Sequence, residues 1–233
     1  MERPKFISNS IYHIFNRGVE KREIFLDDDD YFRFIHNLFE FNDTEPASNL
    51  YYKSYELRTR KIDNNKKKRK PRKLLVKVLA FCLMPNHFHL LIEQVREKGI
   101  TDFLRKISLG YAMYFNRKYE RVGSLFQGRF KSVVIKQEPH FIHIPYYIHL
   151  NPLDIVMPKW REGEIKDYKK AMKFLEDYRW SSFLDYIGKK NFPSVTQREF
   201  LSEFFNGPEG YKKDTIEWLK EMDLGQIKHL TLE

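Results

Sequence analysis

An α+β fold built on a four-stranded antiparallel sheet is predicted for this chain from three observations. Apolar runs at 74–84 and 87–93 are separated only by Pro85-Asn86, a turn signal, and so read as a hairpin. Stretches 31–39 and 103–115 carry apolar residues at helical spacing, each behind a strand pattern. The resulting order is strand, helix, strand, strand, helix, strand. That is the split βαβ, ferredoxin-like arrangement, with its helices on one face.

Each element has its own justification. Residues 10–17 (Ser-Ile-Tyr-His-Ile-Phe-Asn-Arg) read as the first strand, ended by Gly18. The acidic residues 27–30 suit a helix N-terminus, and Tyr31, Phe34, Ile35, Leu38 and Phe39 form the stripe behind it. Residues 42–73 break the pattern as an insert, and positions 58–73 hold ten basic residues in sixteen, among them Lys66, Lys67, Lys68 and Arg69. Like charges repel, so this run belongs in a solvated loop outside the core. It is equally suited to tracking phosphates, each one neutralised adding about 0.9 to the salt slope.

The near-continuous apolar run 74–84 suits a central strand. Thr101 is the expected N-cap of a helix reaching about residue 119. Gly123 and Gly128 bracket a loop ahead of a fourth strand at 130–135. A further helix starts near Pro139, a tolerated first-turn position, and ends at Asn151-Pro152. It is expected to lie against the sheet face left open by the other two helices. Pro145 should kink or restart it. Residues 1–157 are thus read as the main domain and 158–233 as a helical accessory region. In the latter, Tyr168, Ala171, Met172 and Leu175 mark an amphipathic segment, Thr196-x-x-Glu199 reads as a capping box, and 208–222 as a last helix.

The 233 residues carry a net charge of +10 and a pI near 9.4, which favours a polyanionic partner, nucleic acid above lipid. The single cysteine, Cys82, sits in an apolar run, so no disulfide framework is expected. There is neither a signal-like segment nor an 18-residue apolar run, and the expected location is cytoplasmic, away from membranes.

The run 84–93 (Met-Pro-Asn-His-Phe-His-Leu-Leu-Ile-Glu) organises the chemistry. In a strand His87 and His89 share one face, about 6.5–7 Å apart at Cα, and both can reach one metal ion. Phe88, Leu90 and Ile92 face the other way. On the helix before Pro152, Tyr147 and Asn151 are four apart and share a face. An asparagine amide offers a neutral oxygen to a hard cation, so Asn151 joins His87 and His89 as a candidate metal ligand. Tyr147 becomes the candidate nucleophile toward a phosphate. A free tyrosine has a pKa near about 10, so it needs a base or cationic stabilisation. Tyr146 is the rival but faces elsewhere. His143, one turn before Tyr147, reads as a partly exposed histidine, His149 as structural and His13 as an ordinary strand residue. Arg17, Arg129 and Lys131 are candidate DNA phosphate contacts, with Lys66, Lys67, Lys68 and Arg69 of the insert. Trp180 reads as packing between the accessory region and the domain.

His87-Phe88-His89 resembles the His-hydrophobe-His motif of single-tyrosine HUH endonucleases, and Tyr147-x-x-x-Asn151 is similar to their helix carrying a nucleophile and an amide. More narrowly, the chain resembles the REP-associated tyrosine transposases, relatives of the IS200/IS605 transposases. The stretches are 12–18, 80–93, 111–117, 123–132, 147–152 and 178–183, spanning roughly 8–187. The resemblance implies cleavage and rejoining of single-stranded DNA near hairpins through a 5′-phosphotyrosine, with Mg²⁺ or Mn²⁺, by a monomer or homodimer. Other readings are a domesticated DNA-binding protein without cleavage and a replication-initiator-type nickase. One departure stands out. The family's Asn-Pro-Val-Arg-Ala-Gly is replaced by Asn-Pro followed by Leu153, Asp154, Ile155 and Val156, which loses a cation and gains an anion beside the site.

Overall fold

The computed structural model describes residues 5–46, 71–136 and 138–221, with backbone alone at 138–140 and 200. The basic run Lys66, Lys67, Lys68 and Arg69 lies outside the described residues. The expected sheet is present: β1 (Ile11–Arg17) pairs antiparallel with β3 (His87–Gln94) and β4 (Lys131–Ile135), and β2 (Val76–Met84) pairs with β3. Strand order is β2-β3-β1-β4. The Pro85-Asn86 turn is anchored by the segment after β1. The Pro85 carbonyl accepts from the amides of Ile24 (2.8 Å) and Phe25 (3.1 Å), and the Asn86 carbonyl from Gly18 (2.8 Å). A Cβ at Gly18 would sit 2.2 Å from the Arg22 carbonyl oxygen, so only glycine fits this approach.

One face is covered by α1 (Asp28–Glu40) and α2 (Gly99–Lys118). Phe88, Leu90 and Ile92 meet Phe34, Leu38, Phe103, Ile107 and Tyr111 there in a closed core. Asp27 caps α1 by accepting from the Asp30 amide (3.1 Å). Helix α2 starts two residues before the expected Thr101 cap. Lys98 enters it at φ 60° without a side-chain cap, and the Gln94 Oε1 of β3 accepts from the Ile100 amide (3.3 Å). A tertiary acceptor serves the first turn, so the local Thr101 cap is not needed.

The opposite face carries α3 (Glu138–Leu150), which runs through Pro145 as one helix at the cost of one helical hydrogen bond. Behind it come α4 (Leu153–Val156), α5 (Tyr168–Asp177), α6 (Phe183–Tyr186), α7 (Glu199–Phe204) and α8 (Gly207–Glu221). Ile148, Trp160, Leu175, Phe183 and Tyr211 share a second core with Leu79, Ala80, Cys82 and Leu91 of the sheet. The accessory region also covers the free edge of β2. The Leu83 amide donates to Trp180 O (2.9 Å), and the amides of Ser182 and Gln197 donate to Phe81 O (3.0 Å) and Val78 O (2.9 Å). This pairing is why the Thr196-x-x-Glu199 capping box does not form: Gln197 is drawn to β2, and α7 begins after Arg198 with no side-chain cap. Trp180 stacks on Tyr31 at 4.5 Å, joining the accessory region to α1 as expected. Among the described residues no helix is long and apolar enough to cross a membrane.

His149 pins these parts together. It is fully buried, with Nδ1 2.6 Å from the Tyr211 hydroxyl and Nε2 2.7 Å from Ser182 Oγ. Burial lowers its pKa from 6.5 to about 3. Between those values the unfolded chain binds a proton that the folded one does not, so stability falls as pH drops. The slope approaches about 1.4 kcal/mol per pH unit. Urea midpoints from pH 7 to 4 are expected to fall more steeply for the wild type than for His149→Gln; equal slopes would contradict this assignment.

Candidate active site

The sheet register sets out the site on the α3 face. Met84, His87 and Arg17 lie in one row across β2, β3 and β1; Cys82, His89, Phe15 and Lys131 form the next, extending to β4. His87 is half-buried near the strand end and His89 is fully buried, their rings 5.0 Å apart. His87 Nδ1 lies 2.5 Å from Asn86 Oδ1, and His89 Nδ1 lies 2.9 Å from His13 Nε2. Both Nδ1 atoms are therefore engaged by protein partners, and Nε2 is the nitrogen each ring would present to a cation.

Tyr147 descends from α3 onto this face. Its ring centroid is 5.8 Å from both His89 and His13, edge to face, and the residue is fully buried. Tyr146 points the other way, stacking on Tyr211 at 4.8 Å, with its hydroxyl donating to Asp214 (3.4 Å). Burial and the Asp214 carboxylate push its pKa well above the ordinary tyrosine value. His143 leaves the site as well, its Nδ1 accepting from Trp218 Nε1 at 2.9 Å.

Asn151 follows α3 directly and is fully buried; its Nδ2 donates to the Tyr147 carbonyl (2.7 Å) and its Oδ1 accepts from Arg161 Nη2 (2.8 Å). Arg161 also lies 5.1 Å over the Tyr147 ring and donates to both Asp154 oxygens (3.0 and 2.7 Å). Trp160 Nε1 donates to Asp154 as well (2.5 Å). The anion expected beside the site is therefore matched by a cation seven residues further along the chain, in the accessory region.

Of the candidate DNA contacts, Arg17 sits opposite His87 and donates through Nε to Gln127 Oε1. Lys131 Nζ lies 5.8 Å from the Phe15 ring, itself 5.0 Å from His89. Arg129 is exposed in the loop before β4. The structure thus gathers Tyr147, His87 and His89, with Arg17 and Lys131 on the rim. Sequence reasoning missed His13 and Arg161. His13 shares a face with Phe15 along β1, but only the cross-strand register brings it beside His89, and no local pattern marks Arg161.

Among the described residues no three histidines, cysteines or carboxylates converge as a metal cluster, so a cation here would rest on two imidazoles and outside ligands. That sparse donor set fits an ion completed by water and phosphate oxygens. Asn151 Oδ1 already accepts from Arg161, so a cation joining there would share that oxygen with a guanidinium.

Comparison with known proteins gives a match in sequence over part of the chain and a likeness in fold. A family model described as transposase, IS200-like, matches residues 48–151. No curated protein matches the chain. Among solved structures, a REP-associated tyrosine transposase bound to a REP hairpin is similar with a TM-score of 0.50 and 15% identity, over 84% of this chain and 89% of that one. A candidate transposase from Deinococcus radiodurans R1 aligns at 13% identity with a TM-score of 0.34, over 64% of this chain and 95% of that one. In sequence over residues 48–151 the chain matches the IS200-like transposases, and in fold it is similar to a REP-associated tyrosine transposase.

Proposed function

We propose that this protein cleaves and rejoins single-stranded DNA next to a hairpin, using Tyr147 as nucleophile and a divalent cation held by His87 and His89. The observation that carries this reading is the Tyr147 ring 5.8 Å from His89, on the face where His87 also projects. The REP hairpin in the similar transposase supports a hairpin partner. The net charge of +10 supports a polyanion.

In this reading Arg17, Lys131 and Arg129 hold the DNA backbone at the rim. The Tyr147 hydroxyl loses its proton and forms a bond to phosphorus as the bond from phosphorus to the 3′-oxygen breaks. That oxygen takes up a proton and leaves as a free 3′-OH, while the 5′-phosphate stays on tyrosine. Rejoining is the reverse attack by a 3′-OH, and no nucleotide hydrolysis is needed. Mg²⁺ or Mn²⁺ held by His87 and His89 would supply Lewis-acid polarisation of the phosphoryl oxygen.

A DNA-binding protein that has lost cleavage is the second reading, favoured by the complete burial of Tyr147. Labelled single-stranded oligonucleotides with hairpins and flanks from the protein's own genome separate the two. Nicking with Mn²⁺, stopped by EDTA, is expected. Tight binding with every oligonucleotide intact would favour the second reading.

A further inference from the structure

The geometry points to a second DNA contact beside the covered edge of β2. Arg179 takes a backbone phosphate there, and the groove next to it takes an unpaired base of the strand that reaches the active site. The inference rests on the DNA-binding part of the reading above and is independent of the cation.

The Arg179 guanidinium lies 4.8 Å from the Phe32 ring, 5.1 Å from Trp180 and 5.6 Å from Phe192. Three aromatic rings hold the cation in place. Its backbone is fixed as well, since Asn191 Nδ2 donates to the Arg179 carbonyl (2.7 Å). Arg179 is nevertheless exposed, and among the described residues no acceptor takes up its guanidinium N–H groups. A guanidinium held by rings, with its planar fork of donors open, suits a phosphate.

Phe32 and Phe192 also line a groove of about 530 Å³ between α1 and residues 191–195, with Ile35 and Val195. Its wall is preformed: the buried Asp185 carboxylate accepts from the amides of Asn191 (3.0 Å) and Phe192 (2.9 Å). Trp180 is only 9% exposed and stacked on Tyr31, whereas Phe32 is 40% exposed, so Phe32 is the ring open to a base. An apolar, aromatic groove with an open cation at its side matches a nucleotide of single-stranded DNA, base against ring and phosphate against guanidinium. The position fits too. Trp180, next to Arg179, pairs with Leu83, one residue before Met84, which lies opposite His87; Gln197, two residues beyond Val195, pairs with Val78. Arg179 thus marks the active-site end of β2, and the loop bearing the groove follows that edge away from it.

Fluorescence anisotropy in EDTA reads binding without cleavage. The probes are hairpins from the protein's own genome, made with unpaired nucleotides on both sides and with none. On the flanked probe, Arg179→Gln is expected to lower the salt slope by about 0.7, one single-strand phosphate. Phe32→Ala should weaken binding of that probe about 5- to 150-fold, the worth of one stacked base, while Phe32→Tyr keeps a ring and binds as the wild type does. The unflanked hairpin should not distinguish these proteins. Either an unchanged slope in Arg179→Gln or an unchanged affinity in Phe32→Ala overturns the proposal. So do equal losses on both probes, the result expected if Phe32 serves only to pack edge to face on Trp180 (5.1 Å). In each of these cases the DNA-binding reading stands if the wild type binds. A wild type that binds neither probe removes that reading, and this proposal with it.

Discussion

His87→Ala is expected to bind hairpin DNA as the wild type does but to cleave it at least about 10³-fold more slowly, equivalent to about 4 kcal/mol of transition-state stabilisation. His87 is the better choice for this test. It is half-buried near a strand end, so its removal leaves a smaller cavity than removal of the fully buried His89. EDTA should mimic the variant, and added Mn²⁺ should restore the wild type only. A His87→Ala protein that cleaves at the wild-type rate would remove the cation from the account and leave Tyr147 with other help.

The second large effect is on stability and lies on the far face of the sheet. Asp30 is fully buried between α1 and α2. Its Oδ1 accepts from Lys118 Nζ (2.8 Å) and the Tyr114 hydroxyl (3.0 Å), and its Oδ2 from the Tyr119 hydroxyl (2.8 Å) and the Leu26 amide (2.9 Å). Asp30→Ala strips four donors of one acceptor while leaving Lys118 its pair with Asp27. Because Lys118 is partly exposed, the expected loss falls at the low end for a broken buried pair, about 3 kcal/mol, or about 6–12 °C in Tm. A calorimetric shift under 2 °C would contradict the assignment, by the same scale of about 2–4 °C per kcal/mol.

The cluster also has a pH signature. The Lys118 ammonium beside Asp27 holds that carboxyl below its ordinary value, a stabilisation lost as pH falls through the lowered pKa. Burial alone would lower the Lys118 pKa, but Asp27 and Asp30 hold it above the ordinary lysine value, a stabilisation lost as pH rises through the raised pKa. The cluster therefore supports the fold across the neutral range, and acid weakens it alongside His149.

What the sequence made legible is what local periodicity encodes. The alternation in β3 placed His87 and His89 on one face and Phe88, Leu90 and Ile92 on the other, and the structure keeps both assignments. The four-residue spacing likewise separated Tyr147 from Tyr146, which turns to Tyr211 and Asp214. What escaped depends on contacts between distant segments. His13 meets His89 through strand register, and Arg161 reaches Asn151 from ten residues downstream. The caps expected at Thr101 and Thr196 gave way to acceptors and donors supplied from β3 and β2. Local propensity yields where a tertiary hydrogen bond serves the same group. Asp154 shows the same limit in electrostatic form: the sequence marks an added anion, but only the fold brings Arg161 to match it.

The central claim is that Tyr147 attacks the phosphodiester. The direct measurement is to trap protein–DNA adducts with Mn²⁺ and hairpin-bearing single-stranded DNA, digest them, and identify the modified peptide by mass. The account predicts a 5′-phosphotyrosine on Tyr147, absent with EDTA and absent in Tyr147→Phe. An adduct on Tyr146, or one that persists in Tyr147→Phe, would contradict it.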